Sequence, residues 1–313
     1  MLPYIDDFLL NLQANKYSPE TIYNYERDLD VFSHFLDESN IRFDEVSKRT
    51  VTYYKAYLVS RDRKTAKLSN QIEKQLDSRS INRMLSATRS YLRYLIDMDY
   101  PCPIPPEAVK LTKTGRKHPQ VAELDDLVRL IEAPSTLESN PRAALRNRVM
   151  LEVLFATGMR ISELCNLKRS QLDGSGRIFI TGKGRKQRFV YLTPRAKQHL
   201  EIYLNTRQDN CPMLFIPYAG RNVTKPGRRI STNYLQERIK RYREKLKINV
   251  PTSAHSLRHG FATYLSEKGA NPAAIQILLG HESLDTTTRY VHTSDRYAEE
   301  THHKYHPLPN SGR

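Results

Sequence analysis

A chain of 313 residues exceeds one typical domain, and its 39% hydrophobic residues suffice for two cores of unequal size. Fifty Lys and Arg against thirty-four Asp and Glu leave a net charge of +16 and a pI near 9.7, which points to a polyanionic partner, nucleic acid first. Composition and pattern exclude a transmembrane helix, a secretory signal, a disulfide or zinc framework and a nucleotide-cradling glycine loop, so no metal, cofactor or membrane is expected and the cytoplasm, on the nucleoid, is the expected location.

In chain order, Tyr4, Ile5, Phe8, Leu9 and Leu12 repeat at helical spacing. Ser18-Pro19 supplies an N-cap and a first-turn proline for a second helix striped with Ile22, Tyr25, Leu29, Phe32 and Leu36. A third helix follows Ser47, with Val51, Tyr54 and Leu58 facing inward. A polar stretch over Arg61–Arg79 interrupts the pattern before a fourth helix carrying Ile81, Met84, Leu85, Tyr91, Leu92 and Leu95, which the prolines from Pro101 to Pro106 terminate. The expected division is a helical DNA-binding domain over 1–107, a basic linker over 108–119 containing Lys113, Arg116 and Lys117, and a mixed α/β domain over 120–313.

In that last part, helices are expected near Leu124–Ile131 and Arg146–Phe155, the latter closed by Gly158 in a left-handed turn. Arg177–Thr181 and Gln187–Leu192 read as strands flanking a Gly-Lys-Gly-Arg-Lys hairpin tip. Thr193-Pro194 opens another helix, and further helices are expected at Thr232–Lys245, Ala254–Lys268 and Pro272–Leu279, the last capped by Asn271. The fold class is mostly α with a small β-hairpin, in two domains.

Five local patterns in the second part carry chemistry, each ordinary by itself. Arg160 follows the Ala156-Thr157-Gly158 turn, where an arginine either caps a helix or points inward. Glu163, three residues on, orients it or simply sits in a first helical turn. Lys183 occupies the hairpin tip, where most lysines are merely solvated. His255 and Arg258 share a helix face, and an imidazole beside a guanidinium fork suits a phosphate. His281 follows Gly280 at a helix end, and Tyr290 lies nine residues beyond it, one tyrosine among nineteen.

Taken together and in order, Arg160, Lys183, His255, Arg258, His281 and Tyr290 resemble the signature of the tyrosine recombinase (phage integrase) family. The similarity is greatest to its Xer branch, through Thr181–Arg188, Leu257–Thr263, Leu279–Thr287 and His306-Pro307. The Arg61–Arg79 stretch and the Tyr218–Arg229 loop are longer than that branch's compact pattern.

The resemblance implies a two-domain C-shaped clamp on double-stranded DNA and a Tyr290 nucleophile that forms a 3′-phosphotyrosyl bond. Arg160 and Arg258 would clamp the phosphate, His255 would take the tyrosine proton and Lys183 would protonate the leaving 5′-oxygen. His281 would hydrogen-bond the phosphate, with Glu163 behind Arg160. Lys113, Arg116, Lys117, Arg185, Lys186, Arg188, Arg228, Arg229, Arg238, Lys240 and Arg241 are the expected DNA-backbone contacts. The resemblance also implies a homo-tetramer, or a hetero-tetramer with a related recombinase, joined through the tail after Tyr290, with an accessory motor or architectural protein as a further partner. A type IB topoisomerase-like enzyme and a non-catalytic DNA-binding protein are the alternatives.

Overall fold

The computed structural model describes residues 2–60, 76–113, 122–182, 187–280 and 295–308. Two compact units divide the chain, Met1–Lys117 and His118–Arg313.

The first unit is helical: α1 (Ile5–Ala14), α2 (Pro19–Glu38), α3 (Lys48–Val59) and α4 (Ser78–Asp97). Ser18 and Ser47 start α2 and α3 as expected, their hydroxyls accepting the backbone N–H groups of Thr21 and Thr50. Asp77 caps α4 in the same way, so Ser78 and Arg79 belong to that helix and not to the polar stretch before it. Residues 61–75 of that stretch lie outside the described residues. The helical stripes meet in a core built on Phe8, Leu29, Phe32, Tyr54, Leu58, Leu85, Tyr91 and Leu95. Asp28 is buried in it and paired with Arg83; burial outweighs that arginine and raises the carboxyl's pKa.

The second unit comprises α5 (Leu124–Glu132), α6 (Pro134–Leu137), α7 (Pro141–Thr157), α8 (Ile161–Cys165), β1 (Arg177–Thr181), β2 (Gln187–Tyr191), α9 (Pro194–Asn205), α10 (Thr232–Lys245), α11 (Ala254–Glu267), α12 (Pro272–Leu279) and α13 (Asp295–Tyr305). Its axis is α7, buried continuously from Arg146 to Thr157. A helix buried on all sides must be wrapped by neighbours, and α6, α9 and α11 do this. Its polar residues are paired inside: Arg146 donates to Ile216 O, Asn147 Oδ1 and the Tyr234 hydroxyl, while Glu152 meets Arg148 and Arg195. The strands pair antiparallel with Phe179 opposite Phe189 and Ile180 opposite Arg188. Among the described residues no helix is long and apolar enough to cross a membrane.

The C-terminal helix α13 packs on its own unit in the single chain, against α11, α12 and β2. His302 is fully buried and hydrogen-bonds Ala156 O, and His306 Nε2 lies 3.4 Å from Phe155 O. Both rings also pack against Phe261. A pair of aromatic rings that cap the last carbonyls of α7 gives the tail a socket within its own chain.

Burial holds the His302 pKa down at about 4, with the neighbouring His303 adding to the effect against the Ala156 hydrogen bond. His306 is also held well below its ordinary value by burial and by His302. The folded state therefore keeps both rings neutral, whereas the unfolded chain protonates them near pH 6.5. Stability is fully present above about pH 6.5 and falls as the pH drops toward 4, by roughly 1 kcal/mol per pH unit for His302, with His306 acting in the same direction. Melting at pH 5 is expected well below that at pH 7, and equal melting temperatures would contradict the buried neutral pair.

Candidate active site

The turn after α7 builds one wall of the site. Gly158 has φ +61°, and a Cβ there would lie 2.5 Å from the Phe261 ring, so both conformation and space require glycine. The chain then turns through buried Met159 to Arg160, the N-cap of α8. Glu163 answers Arg160 twice: Oε2 accepts its backbone N–H at 2.7 Å and Oε1 accepts Nη1 at 3.0 Å. The Arg160 side chain remains 35% exposed, so its guanidinium is oriented from behind and open in front.

Arg258, on α11, is 5% exposed. Its fork donates to Gly158 O and to Leu279 O, each at 2.6 Å. Burial and the charges of Arg160 and Arg188 lower its pKa to about 10, which still leaves it charged at neutral pH. His255, one turn earlier, is exposed, with its ring 4.8 Å from that of His259. Partial burial, His259, Arg258 and Arg160 lower its pKa, so the ring is neutral near pH 7 and able to accept a proton. Arg160, His255 and Arg258 thus act on one another electrostatically in one locality.

The C-terminus of α12 draws these groups together. Its successive carbonyls, Leu278, Leu279 and Gly280, face Arg188, Arg258 and Arg160 at 3.0, 2.6 and 3.5 Å respectively. The negative end of a helix dipole suits such a gathering of cations. His281 is the next residue in sequence. A cavity of about 540 Å³ opens beside the arginine, lined by Arg160, Ser162, Glu163, Gln171, Thr181 and Gly182. A cavity of about 930 Å³ lies in the first unit around Tyr4, Phe43 and Pro101. Lys183, His281 and Tyr290 lie outside the described residues, as do Arg116, Lys117, Arg185 and Lys186.

The sequence model described as "Phage integrase family" matches residues 120–296, more than half of the chain. The chain belongs to the phage integrase family. A second model, "Phage integrase, N-terminal SAM-like domain", matches residues 5–98 of this integrase. It is 32% identical over 320 residues to tyrosine recombinase XerC of Oceanobacillus iheyensis, covering 99% of this chain and 98% of the relative. It is 29% identical over 312 residues to tyrosine recombinase XerD of Staphylococcus haemolyticus, covering 97% and 98%. Matched along nearly its whole length to such relatives, this integrase is a tyrosine recombinase. The fold is shared with XerH bound to palindromic difH substrate (TM-score 0.65, 21% identity, 89% of this chain and 76% of that one). It is shared also with a lambda integrase dimer bound to a COC' core site (0.66, 16%, 90% and 94%).

Among the cations expected along DNA, Lys113, Arg229, Lys240 and Arg241 of the recombinase are exposed. Arg228 and Arg238 are half-buried, Arg228 donating to Val223 O and facing Asp209 at 3.8 Å, Arg238 paired with Glu138 at 3.4 Å. Arg188 is a correction. Its side chain is 9% exposed and pairs with Glu163, so it is no free phosphate contact. Its strand position opposite Ile180 turns it toward α12, and nothing in the neighbouring residues signals that. His259 lies beside His255, four residues on along the same helix face.

Proposed function

We propose that this recombinase cleaves and rejoins DNA at specific sites by transesterification at Tyr290. The Tyr290 oxygen bonds to the scissile phosphorus as the bond to the 5′-oxygen breaks, giving a 3′-phosphotyrosyl link and a free 5′-hydroxyl. His255 takes the tyrosine proton and Lys183 supplies one to the departing oxygen. Arg160 and Arg258 hold the non-bridging oxygens as negative charge gathers there, with His281 assisting. A 5′-hydroxyl from a partner strand then reverses the step, and the bond energy is conserved in the covalent intermediate.

The observation that carries this reading is the meeting of Arg160 and Arg258 at the α12 terminus, with a neutral His255 one helical turn before Arg258 and within the field of both. Two fixed cations and a proton acceptor are what an in-line phosphoryl transfer requires of protein side chains. The helical first domain (1–107) and basic linker (108–119) serve to bind duplex DNA, aided by Lys113, Arg116, Lys117, Arg185, Lys186, Arg229, Lys240 and Arg241. A tetramer on two duplexes, alone or with a related recombinase, completes strand exchange in chromosome or plasmid dimer resolution or in mobile-element integration. Such assembly requires α13 to exchange its own socket for a neighbour's.

The test is to map covalent protein–DNA adducts on total genomic DNA, then to trap the adduct on a nicked duplex of the mapped sequence. Mass spectrometry of the trapped species is expected to find the nucleotide on Tyr290. No adduct, or one on another residue, would overturn the reading.

A further inference from the structure

We infer that Arg188 is a positioning residue for strand cleavage, holding Glu163 so that Arg160 meets the scissile phosphate oriented and still positively charged. The inference rests on the proposed role of Arg160.

Arg188 projects from β2 and grips both carboxylate oxygens of Glu163, Nη1 to Oε1 at 3.1 Å and Nη2 to Oε2 at 2.9 Å. Its Nε donates to Leu278 O at 3.0 Å. The α12 terminus closes on it so tightly that a Cβ at Gly280 would sit 3.0 Å from its Cδ and Nη1. Glu163, 6% exposed, is therefore shared between a buried arginine behind and the half-open Arg160 in front.

Two consequences follow from charge and geometry. A carboxylate fixed by a bidentate fork has one orientation, and it passes that orientation to the Arg160 guanidinium. A carboxylate already neutralised by one arginine also leaves the other with its charge unspent. Without Arg188, Glu163 would form an isolated pair with Arg160 and cancel the charge needed by the phosphate. Burial works to raise the Glu163 pKa, but hydrogen bonding to Arg188 first, then the Arg160 backbone N–H, the Arg188 charge and the Arg160 side-chain hydrogen bond, bring it below its ordinary value.

The experiment uses the full chain and single-turnover adduct formation on the nicked duplex of the mapped site. Arg188→Met should slow cleavage about 100-fold, the order expected for misplacing a catalytic group by about an ångström, with duplex affinity retained. In an Arg160→Ala background the same change should add little, because both act through one guanidinium. Glu163→Gln should partly restore cleavage to Arg188→Met, since it removes the carboxylate that would capture Arg160. Additive losses, or no restoration, overturn the inference while leaving the proposed function intact. Independently of activity, ¹⁵N relaxation at the Arg160 Nε–H of the DNA-free chain should show greater motion in Arg188→Met. The same should hold in Arg188→Lys, which keeps the buried charge if the methionine variant does not fold. Unchanged order overturns the positioning role even if the wild-type chain forms no adduct, an outcome that would separately dismiss the proposed function.

Discussion

Arg258→Ala is expected to lower the rate of adduct formation by about two to three orders of magnitude, the usual loss on removing one preorganised donor to a developing oxyanion. The arginine is fixed before DNA arrives: its fork spans Gly158 O and Leu279 O, tying the turn that precedes Arg160 to the end of α12. Its charge survives burial and two neighbouring arginines, with a pKa lowered only to about 10. Truncation thus removes the charge proposed to hold the phosphate and leaves two carbonyls without that donor. Arg258→Lys should recover little, since an ammonium cannot span both carbonyls with a planar fork. Single-turnover rates on the nicked duplex measure this, and a loss below about tenfold would place Arg258 outside the transition state's contacts.

Glu152→Ala is expected to remove about 3–5 kcal/mol of stability, the usual penalty for leaving a buried ionic partner uncompensated, out of a total of about 5–15 kcal/mol. Glu152 is wholly buried on α7, with Arg148 Nη2 at 2.6 Å and Arg195 Nη2 at 2.8 Å. Arg148 is itself only 8% exposed and, among the described residues, would retain the half-exposed Glu132 at 3.2 Å as its acidic partner. Urea denaturation at pH 7 reads the loss as a lower midpoint. Replacing both Glu152 and Arg148 by Met should recover much of it, because a packed apolar pair carries no desolvation penalty. A midpoint for Glu152→Ala matching the parent's would show that the network contributes nothing to folding.

Much of this molecule was legible in the residues. Ser18, Ser47, Thr193 and Asn271 mark helix starts because a side-chain oxygen satisfies N–H groups two or three residues away. The strands at 177–181 and 187–191 follow from β-branched and aromatic residues. Gly158 and Gly280 end α7 and α12 in left-handed turns, as their positions after apolar helices suggest. The Arg160–Glu163 spacing likewise carried its own contact.

What the sequence determined by itself is therefore short-range: element limits, caps, turns and the set of residue types from which a phosphate site can be made. Tertiary structure alone decided that Arg188 serves Glu163, 25 residues away, that Arg258 reaches Gly158 across 100, and that His302 seats α13 on Ala156 across 146. The physical reason is that a charged or aromatic side chain has many chemically equivalent partners. Only the packing of α7, α12 and β2 determines which of them lies close enough to repay its desolvation.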